Sequence, residues 1–394
     1  MVTAPSGTGA RSPVAAIVIG AGVTVVCTLP VFLTGAMAVQ LTDDLLFGAT
    51  ALGIAIASFH GSAAVTSGYL GRLTDRIGAT WSLRISLLLS ATAAGGIAAT
   101  ARSWATLVAW LVVAGAGRAI SQAASNRLLV DAVPSERRGM AFGFKQSAPP
   151  TATTLAGFSV PTLAVTFGWR SGFAVVLAMA VVVLVAIGRQ PSRSTPAPAR
   201  GSKQRPKLGN RAAILTLIVA FFLSTAASSS IPAFYVDAAV RTGATPETAG
   251  LLLSAAGIAA ILARLGGGFA SDRLRSGHIV LCAGMLVAGA FGLGLLAVGG
   301  PALMGVGAAV ALAGTWGLNG VFWFAMTRAY PDQPGAITGA IMPGGLVGGV
   351  VGPILFGAAV DAGSYPAAWT IAAGFAVLAA GAMLLGARRL AAGS

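Results

Sequence analysis

The chain has 394 residues, 56% of them hydrophobic and 9% charged, with a formal net charge of +15. A water-soluble chain carries about a quarter of its residues as charges to cover its surface, so this composition excludes a soluble globule. Lipid is the solvent of most of the surface, and the 54 glycines suit membrane helices whose backbones pack closely through small residues.

Residues 1–12 read as a short polar tail, and the apolar run that follows is too long for the core of a signal peptide. From there, apolar stretches of about 20 residues or more, enough to cross ~30 Å of hydrocarbon, recur near 13–40, 45–70, 79–100, 104–130, 139–166, 170–189, 212–239, 245–270, 276–298, 301–329, 335–361 and 365–388. Barrel strands would be about half as long and would alternate in polarity. The predicted class is an all-α membrane protein with twelve transmembrane helices. Its predicted organisation is a tail (1–12), an N-terminal six-span half (13–189), a basic linker (190–211), a C-terminal six-span half (212–388) and a second tail (389–394).

The basic residues set an orientation, because Lys and Arg accumulate on the cytoplasmic side. With the N-terminus inside, nineteen fall on inner segments, seven of them between Arg189 and Arg211, and only Arg102, Arg170 and Arg241 fall outside. Both termini are thus expected in the cytoplasm of a cell whose inner (plasma) membrane holds the chain. The net charge then reflects topology and not nucleic-acid binding. The linker PSRSTPAPARGSKQRPKLGN lies against an anionic membrane face. Trp104, Trp169 and Trp369 stand at outer span ends, where indoles favour the interface. Cys27 and Cys282 sit in separate spans and read as small packing residues.

The two halves repeat each other. GRLTDRIG after span 2 (Gly71, Asp75, Arg76, Gly78) matches GGFASDRL after span 8 (Gly268, Asp272, Arg273), with the acids 197 residues apart. VPSERRGMAFG (Gly139, Gly143) matches YPDQPGAITG (Gly335, Gly339), 196 residues apart. Two loops in register indicate an internal duplication.

With these loops the chain resembles the major facilitator superfamily along its whole length, although Ala79 and Thr80 stand where that family often has further basic residues. The resemblance implies two pseudo-symmetric six-helix bundles around a central cavity, working by rocking, and a chain that functions as a monomer. It also implies a cytoplasmic gate role for Asp75 and Asp272 with their neighbours Gly71, Arg76, Gly78 and Arg273, and Asp131 as a further member. The competing reading is a set of solvated loop charges.

Charges within the spans bear on the cargo, because each costs several kcal/mol unless it is paired or hydrated. Three basic residues remain there: Arg118 in span 4, Lys145 in span 5 and Arg264 in span 8. At 1.5 Å per residue, Arg118 lies about 20 Å below Trp104, Arg264 about 12 Å from Asp272, and Lys145 about 9 Å past Gly139. None of the ten acids lies near a span centre; Asp237, at the outer end of span 7, is the borderline case. Cations without internal carboxylates predict a positive cavity for a small anion, a carboxylate above all, which a guanidinium grips with two hydrogen bonds. The competing readings are Arg264 packed against backbone carbonyls and Lys145 snorkelling to the surface. Gln122, Gln146 and Asn319 are predicted to line the same cavity, with Trp316, Trp323, Phe234 and Tyr235 as further lining or packing residues.

ARLGGGFASDR (263–273) is similar to helix 8 of the monocarboxylate transporters, and NRLLVDAVPSERRGMAFGFKQS with GWR (126–147, 168–170) resembles both that group and cyanate-type bacterial permeases. The resemblance implies that Arg264 contacts substrate. Ala260 replaces an Asp that many monocarboxylate transporters carry four residues before this Arg, so their usual proton site is not reproduced. His60, near mid-depth in span 2, is the alternative proton carrier, since imidazole titrates where a physiological gradient acts. Its competing reading is a histidine satisfied by a serine or a carbonyl. His278 reads as a solvated loop residue. The glycine-rich run MPGGLVGGVVGP (342–353) reads as a packing and bending device, not a phosphate cradle.

The function expected is secondary transport of a small organic anion, coupled to protons; the alternative is a drug or secondary-metabolite exporter of the same fold, and less favoured is a membrane sensor without transport. Without a metal cluster, an activated nucleophile or a nucleotide loop, neither enzyme activity nor a cofactor is expected.

Overall fold

The computed structural model describes residues 12–134, 137–188, 210–274, 276–330 and 333–392. The linker, apart from Asn210 and Arg211, both tails beyond Ser12 and Ala392, and the side chain of Asp272 lie outside the described residues. The N-terminal half holds α1 (Pro13–Ala36), α2 (Ala38–Leu45), α3 (Ala49–Ile77), α4 (Ala79–Thr100), α5 (Trp104–Ala132), α6 (Arg138–Gln146), α7 (Ala148–Ser159), a π-helical turn (Val160–Ala164), α8 (Val165–Phe167) and α9 (Trp169–Gly188). The C-terminal half holds α10 (Arg211–Arg241), α11 (Pro246–Arg273), α12 (His278–Val298), α13 (Pro301–Ala329), α14 (Pro334–Ala362) and α15 (Tyr365–Ala392). Two six-span bundles result. The start of α1 and the end of α15 lie on one side, here the terminal face; the opposite side is the far face.

Helix limits follow local chemistry. The Ser12 side chain accepts the Ala15 N–H at 3.1 Å, with Pro13 opening α1, and Ser103 and Thr106 form a reciprocal cap on α5. Asn210 caps α10 and Thr245 caps α11 ahead of Pro246, side-chain bonds that each stabilise a helix start by about 0.5–2 kcal/mol. Gly78, at φ 83°, joins α3 to α4 through a single residue, a left-handed turn that a Cβ would oppose.

Three expectations change. The GRLTDRIG and GGFASDR segments are not loops: α3 runs on to Ile77 and α11 to Arg273, so both motifs are the last turns of long helices. Span 1 breaks at Met37 and continues as α2 to Leu45. Eleven helices among the described residues are each long and apolar enough to cross a membrane; the twelfth span is present in pieces. Proline supplies no N–H and crowds the preceding turn, so Pro149 and Pro150 divide α6 from α7. At Pro161 the ladder widens, and the Val165 N–H bonds the Val160 carbonyl.

The halves meet along three seams, α1 with α10, α3 with α14, and α7 with α11. The α3–α14 seam needs glycine: a Cβ on Gly53 would collide with the Pro353 carbonyl. Ser254 donates to the Thr154 carbonyl at 2.9 Å across the third seam. The glycine-rich run packs as expected, with Gly348 and Gly352 against the α10 backbone and Gly349 against the His60 ring. At the far face, Asp361 of α14 accepts the Ala49 and Thr50 N–H groups of α3 at 3.2 and 2.8 Å, closing that side. Toward the terminal face, Gly71, Gly143, Gly268 and Gly339 stand in open space.

Of the tryptophans at span ends, Trp169 and Trp369 are packed inside the protein and Trp104 is half-buried. Trp369 is fully buried against Phe356, and Trp169 is buried with its indole N–H on Asp44 at 3.0 Å. Trp104 donates to the Ala51 carbonyl at 2.7 Å. Both cysteines are free and buried.

Candidate functional site

Arg118, Gln122 and Asn126 recur at four-residue spacing on α5 and share one face of it. Arg118 Nη1 donates to Gln122 Oε1 at 2.8 Å. One turn on, Asn126 Oδ1 accepts from Lys145 Nζ of α6 at 2.6 Å, and Lys145 is completely buried. Arg118 lies within electrostatic reach of both Lys145 and His60. The snorkelling alternative for Lys145 is thereby excluded, since its ammonium ends on an amide inside the bundle.

Arg264 approaches from the other half. On α11 and 7% exposed, it donates from Nη1 to the Gln146 carbonyl at the α6–α7 break. Its Nη2 reaches the Trp316 carbonyl of α13 at 2.7 Å, and its buried Nε has no acceptor among the described residues. Asn319 Nδ2 donates to the same Trp316 carbonyl at 3.1 Å. Packing against carbonyls is therefore the geometry of Arg264, and the Gln146 contact comes from its main chain. A carbonyl dipole satisfies a hydrogen bond without cancelling the charge. Among the described residues, the four ion pairs are Arg127–Asp75, Arg127–Asp131, Arg170–Asp44 and Arg241–Asp237. Arg118, Lys145 and Arg264 have no part in them.

His60 makes no hydrogen bond among the described residues; its ring packs edge-on to Phe59, with centroids 5.3 Å apart, and faces Gly349. His278 is not solvated: it is buried, with Nε2 3.1 Å from the Ser271 carbonyl. The aromatics divide. Phe234 stacks on Phe356 and Trp323 packs on Phe221 and Phe322, which makes them core. Trp316 meets Phe32 of the other half at 5.7 Å, and the buried Tyr235 hydroxyl has no partner among the described residues.

At the terminal face, Arg127 joins the gate candidates of the first half. It donates to the Asp75 main-chain carbonyl at 3.2 Å and lies 3.5 Å from its carboxylate and 3.6 Å from that of Asp131. This ties α3 to α5 within one bundle. Arg76 is exposed, and Arg273 lies over the Phe269 ring at 3.8 Å. At the far face Asp237 is buried with Arg241 at 3.1 Å and the Tyr365 hydroxyl.

Sequence reasoning missed Asn126, although its four-residue step from Gln122 is a helical-face signal. It also missed the Gln146 carbonyl, although Pro150 four residues on announces a free acceptor.

Two six-span bundles, joined at depth by Arg264 on the Gln146 carbonyl, have the architecture of a polytopic membrane transporter, and the family and relatives that the chain matches are those of a transporter and not of an enzyme. The Major Facilitator Superfamily model matches residues 16–345, and the chain belongs to that family. It is 30% identical over 310 residues to a "Probable nitrate/nitrite transporter NarK2" of Mycobacterium tuberculosis, covering 74% of this chain and 75% of that one. It is 24% identical over 378 residues to the "Hexuronate transporter" of Bacillus subtilis, covering 87% of each. Among solved structures, it superposes on a D-xylose-proton symporter with a TM-score of 0.75 at 16% identity, over 95% of this chain and 97% of that one. A bacterial homologue of the human lysosomal transporter Spinster, inward-facing and unoccupied, gives a TM-score of 0.73 at 12% identity, over 96% and 98%. These two likenesses concern the fold.

Proposed function

We propose that this chain carries a small organic anion, a carboxylate above all, across the inner membrane by alternating access, coupled to protons. The observation that carries the reading is the set formed by half-buried Arg118 with buried Lys145 and Arg264, which hold amides and carbonyls but no carboxylate among the described residues. Burying such charge is costly without an opposite charge, and an anion between the halves supplies it. Relatives named for hexuronate and for nitrate/nitrite support a negatively charged cargo.

The excess of Lys and Arg on the terminal face makes that face cytoplasmic. The far-face closure by Asp361 then belongs to an inward-facing state, in which the anion arrives from the cytoplasm. His60, near Arg118 and without a hydrogen bond among the described residues, is the proton carrier: an arriving anion favours its protonation, and the two cross together. In the opposite state, Asp75, Asp131, Asp272 and Arg273 hold the cytoplasmic ends together. The chain works as a monomer, with a basic linker (190–211) between its halves.

The test is uptake of radiolabelled glucuronate, pyruvate and nitrate into proteoliposomes under an imposed pH gradient. Uptake of at least one, inhibited by other anions and insensitive to lipophilic cations, is expected, and Arg264→Ala should abolish it while the protein still inserts. Full activity of that variant, or transport of lipophilic cations alone, overturns the reading.

A further inference from the structure

The α6–α7 break has a chemical consequence for Arg264. In an unbroken helix the N–H of residue 149 would bond the Lys145 carbonyl, and that of residue 150 the Gln146 carbonyl. Both positions are proline, so neither donor exists. The chain recovers its ladder around them, with the Ser147 N–H on the Phe144 carbonyl and the Thr151 N–H on the Ser147 carbonyl, both at 3.0 Å. The Gln146 oxygen is left for Arg264 of the opposite half. One charged hydrogen bond therefore joins the bundles at the depth of the candidate site.

We infer that Pro150 turns the Gln146 carbonyl into a competitor for the anion, so that Arg264 Nη1 either ties α7 to α11 or grips cargo. This inference rests on Arg264 being the anion clamp. The carbonyl offers Arg264 only a dipole, whereas an oxyanion offers a full opposite charge and can take two parallel N–H bonds from one guanidinium, so an oxyanion displaces the carbonyl where a neutral solute does not. Displacement removes a link between the halves at the moment of binding. A ligand shifts a conformational equilibrium only through contacts that differ between its states, and this exchange is such a difference. Pro150 thus acts through Arg264, as a positioning residue for both anion selectivity and release of the halves.

Neighbouring prolines give the experiment its control. Pro150→Ala restores an N–H for the Gln146 carbonyl and withdraws it from Arg264; Pro149→Ala straightens the same turn but serves the Lys145 carbonyl instead. Anion affinity is read by Trp fluorescence titration with glucuronate, pyruvate and nitrate. The distance between the halves is read separately by double electron–electron resonance in ligand-free protein, with spin labels at Met140→Cys and Leu274→Cys. Pro150→Ala is expected to bind anion about tenfold more tightly and to broaden the distance distribution. Pro149→Ala should stay within about twofold of the unmodified protein and keep its distribution. Normal anion binding with Pro150→Ala indistinguishable from Pro149→Ala in both measurements overturns the competition alone. Failure of all three proteins to bind any anion, even with a distribution that responds to Pro150→Ala, overturns the clamp reading and the competition with it.

Discussion

Lys145 Nζ sits 2.6 Å from Asn126 Oδ1, an ammonium fully inside the bundle whose partner is a neutral amide and not a carboxylate. The amide satisfies a donor and leaves the charge in place. This pair separates two demands that a single residue often merges, keeping the lysine soluble in the protein and keeping it available to an anion.

The separation can be tested at Asn126. Asn126→Asp gives Lys145 a carboxylate at the same position, so the variant should unfold at higher temperature in detergent while anion uptake falls at least tenfold. Asn126→Leu removes the acceptor and should cost about 1–3 kcal/mol of stability, the penalty for a buried donor left unmatched. Scanning fluorimetry and proteoliposome uptake measure the two effects independently. Uptake unchanged in Asn126→Asp would show that the Lys145 charge does not serve cargo.

Hydropathy made the twelve spans legible, since ~20-residue apolar runs have few other uses, and the repeated G-x-x-x-D-R motif made the duplication legible. The same motif was misplaced into loops because polar residues in a helix that projects beyond lipid look like a connection. At the site, the three cations stood out by their cost. What Arg264 touches did not, because backbone carbonyls carry no letter in a sequence; only Pro150, four residues beyond Gln146, marks the free oxygen. The cap that Asp361 of α14 places on α3 was not legible, since it is a relationship between residues more than 300 positions apart.

Gly53 sets the closeness of the α3–α14 seam. A Cβ there would meet the Pro353 carbonyl, and backbone at that position yields little; overpacking of this kind costs about 1–3 kcal/mol. Gly53→Val should therefore insert normally but populate the far-closed state about tenfold less or lower, with uptake reduced in proportion. Initial rates normalised to membrane-inserted protein check this, and rates equal to those of the unmodified protein would mean that the seam yields to the added side chain and that Gly53 does not set its closeness.

The His60 prediction concerns pH. If His60 carries the proton, anion uptake rises as the pH on the loading side falls. His60→Gln keeps a polar group against Gly349 but cannot take up a proton, so its uptake should become nearly flat with pH and lose acceleration by an imposed proton gradient. Counterflow exchange of anion, which needs no net proton movement, should survive in the same variant. A pH profile identical to that of the unmodified protein would remove His60 from coupling.

Asp361 holds α14 to the first turn of α3 by taking two otherwise unpaired N–H groups, an N-terminal cap supplied from the other half of the molecule. Negative charge at a helix start is favourable through both hydrogen bonds and the helix dipole. Because the cap exists only while the far face is closed, its contribution of about 0.5–2 kcal/mol belongs to one state and biases the equilibrium between states directly. Asp361→Ala should shift the population toward far-face opening by about 2- to 30-fold. A cysteine at Val350, beside Gly61 in the seam, reports this through its rate of reaction with a membrane-impermeant maleimide added from the far side. Faster labelling in Asp361→Ala, with Asp361→Asn intermediate because an amide oxygen still accepts a hydrogen bond, is the expected order. Equal rates in all three would mean that the apolar seam alone keeps the far face shut.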